Sequence, residues 1–435
     1  MEVRSETVAA EPRSAARRIV EGLRSDGVRV VRLLHSDLFG RARSKQFPVE
    51  ELPGLLDGVG YCVASLVEDL DGRPLKGGDF PADRGFPDMH AVADLDTLRR
   101  VPWDPDTAWV LADLFEQGRR SPLCSRGVLA RMRERIAAAG LSAIIATEPE
   151  FYLVEPGPPP RAYSARMGMA YTSGRRADPQ GAFDGLHRSL IALGIGVGSA
   201  HREFSPGQFE INLRHSDPLG AADACFLLKE ATKELAVRRG LQAVFMPKPF
   251  SAHEGSSMHL HVSLWRDGAN LFAADELVRR PFTAGVLEHV GGLTALASST
   301  VNSYKRLRPG GLAPTTASFG TDSRLAYLRL PTDGGDGARV EVRGGDAASN
   351  PYLLATAVLA AGLDGIERGA EPAASAAALP RSLPEALDAL ERDEVLVGAL
   401  GAELVRVFGA LKRAECEAYA GTVTDWEWTQ YAFHA

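Results

Sequence analysis

The sequence contains few cysteines. Only four occur among 435 residues, and no two of them form a CxxC pair: they are Cys62, Cys124, Cys225 and Cys416. Scattered single cysteines support neither a disulfide framework nor a cysteine-rich zinc site. We therefore expect a protein of a reducing compartment, the cytoplasm.

Long apolar runs and an excess of positive charge are also missing. The longest apolar run, residues 352–363, contains Thr356 and stops at Asp364, so it is too short to span a membrane and predicts a buried helix. The N-terminal segment lacks the apolar core of a secretory signal. The formal net charge of −7 argues against non-specific binding to nucleic acid or to anionic membranes. Neither a GxxxxGK[ST] motif nor a GxGxxG after a strand occurs, which argues against a P-loop or a dinucleotide-binding fold.

What is present is the composition of an ordinary globular protein, 45% hydrophobic and 24% charged, at a length that indicates two domains. Residues 1–15 lack a clean helical period, so we expect a loose tail with order beginning near Ala16. Short alternating segments then predict a small sheet domain over residues 16–120. The expected strands there are 28–34, 91–95 and 108–115. The stretch 57–88 is rich in Gly, Pro and Asp and is interpreted as a long loop.

From residue 121 the pattern changes to helices that alternate with strands, which predicts a large α+β domain over residues 121–435. Its first helix is amphipathic, with Ser125 as the expected N-cap and Gly140 at its end. The other expected helices are 185–193, 221–239, 281–300 and 350–368. The expected strands are 143–154, 208–213, 258–265, 326–330 and 339–343.

Several of these strands carry acidic and imidazole side chains on one face. Glu148 and Glu150 lie two residues apart and therefore share a face of one strand. The same alternation places His259, His261 and Ser263 together. The remaining polar residues of this kind are Glu203, Glu210, Arg339, Glu341 and Arg343.

For any single strand, the ordinary explanation is a solvated outer face of an antiparallel sheet. Glutamate is a poor strand former, however, and these residue types are those of a metal and phosphate site. Five converging glutamates would repel one another, and divalent ions would relieve that repulsion. Carboxylates with an imidazole suit Mg²⁺ or Mn²⁺, and arginines on neighbouring strands suit a transferring phosphoryl group.

Seven ordered motifs resemble those of the glutamine synthetase family, bacterial type I branch. They are EPEFYL, HREFSPGQFEI, MPKPF, EGSSMHLHVSL, NSYKRLRPG, RLAYLRLP and RVEVRGGDAASNPYL. The resemblance runs from about residue 120 to the C-terminus and is weaker before it, where DLFGRARSK carries it with Asp37, Gly40, Arg41 and Lys45. It implies an α+β fold in which a small N-terminal β-grasp-like domain precedes a large catalytic domain with a β-barrel active site flanked by helices.

The resemblance also implies an ATP-dependent ligase that uses two or more Mg²⁺ or Mn²⁺ ions. Such enzymes phosphorylate the side-chain carboxylate of glutamate and let a nitrogen nucleophile displace phosphate. By resemblance, one metal site is Glu150, Glu203 and Glu210, and the other is Glu148, His259 and Glu341. The residues expected near ATP are His261, Ser263, Arg324, Arg329 and Arg339. Those expected at the substrates are Gly255, Arg306, Leu312 and Arg343, with Arg324 and Arg343 as the catalytic arginines.

Two acids that handle ammonium in the family have no counterpart here. On the flap that follows NSYKR, the place of a glutamate is taken by Leu312, and the Asp-Gly-Ser-Ser stretch that supplies an aspartate is not found in residues 60–71. An apolar side chain would leave ammonium without its charge partner and would suit an alkyl or aryl group on an amine. Glu68, Asp69 and Asp71, in the same loop, keep a cationic amine open.

Other departures affect the acyl and nucleotide ends. Glu254 replaces the asparagine before Gly255, which leaves open a close analogue of glutamate as the acyl substrate. Gly198 replaces a glutamate near the nucleotide, and His215 replaces an aromatic residue beside adenine. The Ala-rich loop 370–379 lacks the tyrosine that classical bacterial members adenylylate.

We therefore expect a ligase that couples an organic amine, such as a polyamine, ethanolamine, an alkylamine or an arylamine, to glutamate or a close analogue. A glutamine synthetase that uses ammonium is the alternative within the enzyme class, and a non-catalytic relative kept for assembly or regulation is the alternative outside it. By resemblance we also expect a dodecamer of two hexameric rings, in which residues 57–88 flank a neighbour's amine site. The other expected partners are small-molecule substrates, with no nucleic acid and no membrane.

Overall fold

The N-terminal part of the protein is a helix followed by a mixed sheet. The structure is a computed structural model that describes residues 6–164, 166–167, 170–274, 276–373 and 376–434. Up to residue 120 its elements are α1 (Glu6–Ser25), β1 (Val30–Ser36), β2 (Ala42–Pro48), two 3₁₀ turns (Val49–Glu51 and Gly54–Leu56), β3 (Val59–Cys62), α2 (Ala64–Val67), β4 (Asp88–Arg100), β5 (Thr107–Glu116) and β6 (Arg119–Arg120).

Helix α1 begins at Glu6, so the expectation of a loose tail up to residue 15 is wrong for residues 6–15, and residues 1–5 lie outside the described part. The helix packs through Ala16, Val20 and Leu23, which are buried against the N-terminal core. Spacings of four and three place these side chains on one face.

The segment 57–88 is not a continuous loop. It contains strand β3, which pairs with β4 in the register Val59↔Ala91, and the short helix α2. Only the part after Val67 matches the predicted loop. The first sheet runs in the order β2–β1–β5–β4–β3, with β6 paired to β5. Strands β1 and β5 are parallel, and the other pairs are antiparallel.

The larger part of the protein combines a second sheet with most of the helices. Its first elements are α3 (Ser125–Ala138), β7 (Ser142–Glu155), β8 (Arg161–Ala162), a 3₁₀ turn (Gly174–Arg176), α4 (Ala182–Ala192), β9 (Val197–Arg202), β10 (Gln208–Leu213), α5 (Pro218–Val237) and β11 (Gln242–Val244). They are followed by β12 (Met258–Arg266), β13 (Ala269–Asn270), α6 (Leu271–Ala274), α7 (Glu276–Glu288), α8 (Val290–Ala297), a 3₁₀ turn (Ser303–Lys305), β14 (Phe319–Thr321) and β15 (Leu328–Leu330). The last elements are a 3₁₀ turn (Gly335–Gly337), β16 (Val340–Val342), α9 (Pro351–Arg368), α10 (Leu383–Arg392), α11 (Glu394–Leu400), α12 (Ala402–Ala420) and α13 (Asp425–Tyr431).

Two local predictions about these helices need correction. The N-cap of α3 is Cys124, whose sulfur accepts a hydrogen bond from the backbone N–H of Gly127 at 3.2 Å, and not Ser125. The predicted helix 281–300 is two helices, α7 and α8, separated at His289. Gly140 does follow the end of α3, with φ of 69°, a conformation that favours glycine.

The second sheet positions the polar faces seen in the sequence. Its strand order is β14–β15–β16–β12–β7–β10–β9, with β8 and β11 paired to β7 and β13 paired to β12. Helix α9, formed by the apolar run, is buried as predicted. The mixed α+β class with a small and a large sheet region is therefore confirmed. Within the described residues, none of the helices combines the length and the apolar character that crossing a membrane requires.

A buried arginine joins the two parts. Arg126 of α3 makes hydrogen bonds of 2.9 Å to Asp113 of β5 and of 2.6 Å to Asp94 of β4. The same guanidinium binds both carboxylate oxygens of Asp223 of α5 at 2.9 Å. Tyr352 of α9 donates a further hydrogen bond to Asp223 at 2.7 Å. A buried charge that lost such partners would be costly, so this network fixes the first sheet against the helices.

Candidate active site

One cavity of about 1410 Å³ is lined by the polar face of the second sheet and by the loops beside it. The predicted site residues that line it are Glu148, Glu150, Glu203, Glu210, Gly255, His259, His261, Arg306, Leu312, Arg324, Arg329, Arg339, Glu341 and Arg343. Ser263 is the exception. It lies on the same strand as His261, but its hydroxyl accepts a hydrogen bond from the Trp265 indole at 2.9 Å and does not line the cavity.

Strand register explains this convergence. Glu148 of β7 is paired with His259 of β12, and His261 is paired with Glu341 of β16. On the other side of β7, Glu150 is paired with Glu210 of β10, and Glu210 is paired with His201 of β9. Directly opposed residues of neighbouring strands have their side chains on the same face. The alternation in each strand thus becomes one continuous polar surface.

The first carboxylate cluster consists of Glu148, His259 and Glu341, and its potential ligand atoms all lie within 4.8 Å of one another. Nδ1 of His259 lies 3.5 Å from a Glu148 oxygen and 3.6 Å from a Glu341 oxygen. Nε2 of His261 is 2.9 Å from the other oxygen of Glu148. This cluster is the second of the two predicted metal sites.

The acids of this cluster are held in their charged form. Burial alone would raise the pKa of the Glu148 carboxyl, but hydrogen bonds from His259 and His261 outweigh it and hold this pKa well below its usual range. Burial is likewise outweighed at Glu341, where His259, His261 and Arg343 lower the pKa of the carboxyl. Carboxylates that stay ionised are suitable ligands for a divalent ion.

The second cluster consists of His201, Glu203 and Glu210. The two nitrogens of His201 bridge the acids, with Nδ1 3.3 Å from Glu203 and Nε2 3.1 Å from Glu210. Glu150, predicted as the third ligand here, lies beside this cluster. One of its oxygens accepts hydrogen bonds from the Gln208 amide at 2.9 Å and from the Ser257 backbone N–H at 3.0 Å.

Burial and neighbouring carboxylates govern the pKa values of Glu150 and of Glu203. Burial, together with the charges of Glu210 and Glu203, raises the pKa of the Glu150 carboxyl to about 8. Burial and Glu210 also raise the pKa of Glu203. Such a group of buried acids around an imidazole has the donor chemistry of a hard divalent cation, whose charge would offset the repulsion. Both clusters therefore fit Mg²⁺ or Mn²⁺.

Three arginines of the cavity, Arg329, Arg339 and Arg343, contact the first cluster or the neighbouring His261. Nη1 of Arg329 is 2.7 Å from Glu341, and Arg343 also binds Glu341. Nε of Arg339 lies 3.1 Å from Nδ1 of His261. Arg324 is exposed, and its backbone carbonyl accepts a hydrogen bond from Arg343 at 3.0 Å. A triphosphate beside the first cluster would therefore meet several guanidinium groups.

The proposed acyl end lies on the other side of Glu150. Arg306 is buried and donates a hydrogen bond to the Ser257 hydroxyl at 2.9 Å. A Cβ at Gly255 would lie 2.6 Å from the Pro247 carbonyl and 2.8 Å from Cγ of Arg306, so only glycine fits there. The Gln208 amide donates to the Gly255 carbonyl at 3.0 Å as well as to Glu150, and so connects this end to the second cluster.

The flap lines the cavity, whereas the N-terminal acids do not. Residues 308–313 line the cavity, and Leu312 is 54% exposed. Glu68, Asp69 and Asp71 do not line the cavity of their own chain. Glu68 forms an ion pair of 2.7 Å with Arg43, and Asp69 accepts backbone hydrogen bonds from its own loop. Glu254 lines the cavity, whereas Gly198 and His215 do not.

Sequence reasoning missed three residues at or beside the second cluster. His201 is two residues from Glu203, and the alternation used for the other strands could have found it. Gln208 opens strand β10, two residues before Glu210, and had the same signal. Tyr171 had none: it belongs to an irregular segment, and its ring contacts the His201 ring edge to face, with the centroids 4.8 Å apart.

Comparison with known protein families identifies relatives of this chain. A family model described as glutamine synthetase, catalytic domain, matches residues 122–431. The chain is 34% identical to the glutamine synthetase of Pyrococcus abyssi, with 93% of this chain and 96% of the relative covered. It is also 34% identical to the glutamine synthetase of Mycolicibacterium smegmatis, with 95% and 98% covered.

Solved structures give the same result. The protein resembles a GmaS/ADP complex with a TM-score of 0.85 and 32% identity, over 95% of this chain and 99% of that one. It resembles GmaS without ligand with a TM-score of 0.84 and 33% identity over the same shares. The similarity therefore includes the N-terminal region, where the sequence motifs were weakest.

Proposed function

We propose, because this chain belongs to the glutamine synthetase family, that it joins an organic amine to the side-chain carboxylate of glutamate or a close analogue. Members of the family are carbon–nitrogen ligases that use ATP and divalent metal ions and act on small molecules. The proposed products are a γ-glutamylamide, ADP and phosphate. The relatives share the ligase chemistry, so the proposal concerns which nucleophile is used, an organic amine or ammonium.

The observation that carries the proposal is Leu312. It lies on a flap that lines the cavity, and a large part of its side chain is exposed there. An isobutyl group offers ammonium neither a charge partner nor a hydrogen bond, so it would not compensate for the hydration that this small cation loses on binding. The same group favours an amine that carries carbon substituents.

The known relatives bear on this choice in both directions. GmaS, a γ-glutamylmethylamide synthetase, has nearly the full length of this chain in common with it and supports an amine substrate. The curated relatives at 34% identity are named glutamine synthetase, which favours ammonium. The amine assignment therefore depends on the cavity of this chain rather than on overall similarity.

The first chemical step is phosphorylation of the acid. A side-chain carboxylate oxygen attacks the terminal phosphorus of ATP, and ADP leaves. In this proposal Gly255 and Arg306 hold the amino-acid end, while Arg324, Arg329 and Arg339 face the phosphates and neutralise the charge that spreads over the phosphoryl oxygens. Divalent ions held by the two carboxylate clusters would add positive charge next to the triphosphate.

The second step forms the amide. The amine nitrogen attacks the acyl carbon, phosphate departs with the electron pair of the broken C–O bond, and the nitrogen releases a proton to solvent. Arg343, buried between Glu341 and the carbonyl of Arg324, is placed to stabilise the departing phosphate. An amine that arrives neutral needs less help from a base, which agrees with the missing acids.

A direct assay tests the proposal. The purified protein is incubated with ATP, Mg²⁺, L-glutamate and either ammonium or one of several primary amines, and phosphate release and product mass are followed. We expect an organic amine to give the highest kcat/KM. A higher kcat/KM for ammonium would instead identify a glutamine synthetase. Inertness toward every nitrogen donor despite ATP binding would favour a non-catalytic relative, although all six predicted metal ligands line the cavity.

Assembly and location belong to the same proposal. Family members commonly form oligomers, and we propose two stacked hexameric rings in which the segment 57–88 reaches a neighbour's amine site. The mass in solution, measured by light scattering, tests the ring assembly. The cysteines in the described residues are free, as the expected cytoplasmic setting requires, and that setting stays a prediction.

A further inference from the structure

Several large apolar side chains line the cavity that the flap borders. We call five of them the apolar rim: Tyr171, Phe204, Met246, Leu312 and Leu325. Their side chains are between 45% and 70% exposed. Single exposed apolar residues are normal on any protein, but a group of them around one cavity marks a surface that binds an apolar group.

The rim adjoins the second cluster. The Tyr171 ring lies against His201, and Phe204 directly follows Glu203 in the chain. The backbone of Tyr171 has φ of 59°, a left-handed conformation that is unfavourable for a bulky residue, and its N–H donates to the Arg202 carbonyl at 3.0 Å. The fold thus accepts local strain where it places an aromatic ring beside the carboxylate cluster.

The charges of the cavity oppose a substrate with a second positive group. Eight Lys and Arg side chains line it, against six glutamates. Five of those glutamates belong to or adjoin the two metal-type clusters, and Glu254 is the only remaining acid among the lining residues. The acids that a neighbour's segment 57–88 would bring already have partners in their own chain: Glu68 pairs with Arg43, Asp71 with Arg73, and Asp69 accepts backbone hydrogen bonds. A distal ammonium group would therefore meet mainly like charge, which is unfavourable in a partly enclosed site.

We propose that the amine substrate carries one apolar group, an alkyl chain of several carbons or an aryl ring, and no second charge. This inference rests on the proposed function and narrows it, because it excludes polyamines and ethanolamine as preferred substrates. The apolar group contacts the rim, while the nitrogen faces the acyl carbon. The amide bond forms as described above, and no further reactant is needed.

Pairs of amines of equal size test the inference. Propylamine and ethanolamine differ by a methyl in place of a hydroxyl, and pentylamine and 1,4-diaminobutane differ by a methyl in place of an amino group. With ATP, Mg²⁺ and L-glutamate, we expect the apolar member to have the higher kcat/KM, by about tenfold in the first pair, because burying an unpaired hydroxyl is costly. We expect a larger ratio in the second pair, where a charge is buried.

A rim variant with a matched control tests whether the preference for apolar amines comes from the cavity. Phe204→Ser should lower the ratio of kcat/KM for pentylamine over methylamine by about fivefold or more, since an apolar contact is lost. Val237→Ser changes a side chain that is 70% exposed on α5, away from the cavity, and should leave the ratio unchanged. An equal ratio in Phe204→Ser and the unmodified protein would remove Phe204 from the proposed contact and contradict the rim.

The outcomes separate this inference from the proposed function. If 1,4-diaminobutane is preferred and Glu254→Gln removes that preference, the inference is wrong while the amine-ligase function stands. A preference for ethanolamine overturns it in the same way. If ammonium exceeds every amine, the proposed function itself fails.

Discussion

The two ends of the cavity have opposite chemistry. At the carboxylate end, Glu148 and Glu341 are held by imidazole and guanidinium groups. At the flap end, Leu312 presents a hydrocarbon surface where the family resemblance implies an acid. Transfer of a phosphoryl group demands many charges, whereas the choice of a nucleophile depends on a few contacts. Under the proposed function, the carboxylate end serves the first step and the flap end selects the nucleophile of the second.

The largest effect should come from breaking the carboxylate end. Glu341→Gln keeps the size of the side chain but removes a charge that contacts His259, Arg329 and Arg343. We expect kcat/KM to fall by at least about a hundredfold with every amine, because one change weakens both metal binding and the placement of the arginines. Steady-state phosphate release measures this.

A control on the surface shows whether the charge itself matters. Glu367→Gln removes an exposed carboxylate that forms an ion pair of 3.1 Å with Arg135 on another helix. Exposed pairs contribute little, so its activity should stay within about twofold of the original. Activity above a tenth of normal in Glu341→Gln, with unchanged folding by circular dichroism, would contradict the assigned importance of the first cluster.

The Glu150 carboxyl, beside the second cluster, should make the stability of the protein depend on pH. Glu150 has a pKa of about 8 when folded, above its ordinary value, so folding favours its protonated form. The stability that this proton supports is fully present below the unfolded pKa and is lost as the pH rises through about 8. Without metal, the free energy of unfolding should therefore decrease by up to about 1.4 kcal/mol per pH unit as the pH rises from the unfolded pKa to about 8, and level off above that.

Glu150→Gln isolates this effect. Thermal unfolding of the metal-free variant should lack the part of the pH slope that Glu150 supplies, since its amide does not titrate. Saturating Mg²⁺ should reduce the same slope in the unmodified protein and add about 2.7 kcal/mol at a hundred times its Kd. Identical slopes in variant and original would show that Glu150 is not the responsible group.

The polar face of the second sheet could be predicted because a strand repeats every two residues. Glu148 and Glu150 had to share a face, and so did His259 and His261. Which strands are neighbours was not visible in that pattern. The grouping into two metal sites and the roles of the arginines came from the family resemblance.

Other features depend on tertiary contacts that no local pattern contains. Tyr171 reaches His201 from an irregular segment, and the sulfur of Cys124, the N-cap of α3, also accepts a hydrogen bond from the backbone N–H of Leu114 on β5. The second cluster contains His201 in place of the predicted Glu150, because an oxygen of Glu150 already accepts hydrogen bonds from Gln208 and Ser257. Ser263 fits the alternation but lies beyond the edge of the cavity, where Trp265 binds it.

The smallest predicted effect changes the flap end into a copy of the family pattern. Leu312→Glu places a carboxylate in the cavity, where it would attract ammonium and remove an apolar contact from the amine. We expect the ratio of kcat/KM for ammonium over propylamine to increase by about tenfold, which corresponds to about 1.4 kcal/mol. Competition between the two nitrogen donors, read by product mass, measures the ratio directly.

Leu312→Gln separates charge from polarity at the same position. Its side chain is nearly the size of glutamate, so it removes the same apolar contact but cannot pair with a cation. If the flap selects by charge, Leu312→Gln should raise the ratio of kcat/KM for ammonium over propylamine only as far as propylamine binding is weakened. The kcat/KM for ammonium itself should stay close to that of the unmodified protein. If Gln and Glu give equal shifts, loss of the hydrocarbon surface alone explains the selectivity. In that case the flap end selects the amine through its apolar contacts and not through the absence of a negative charge.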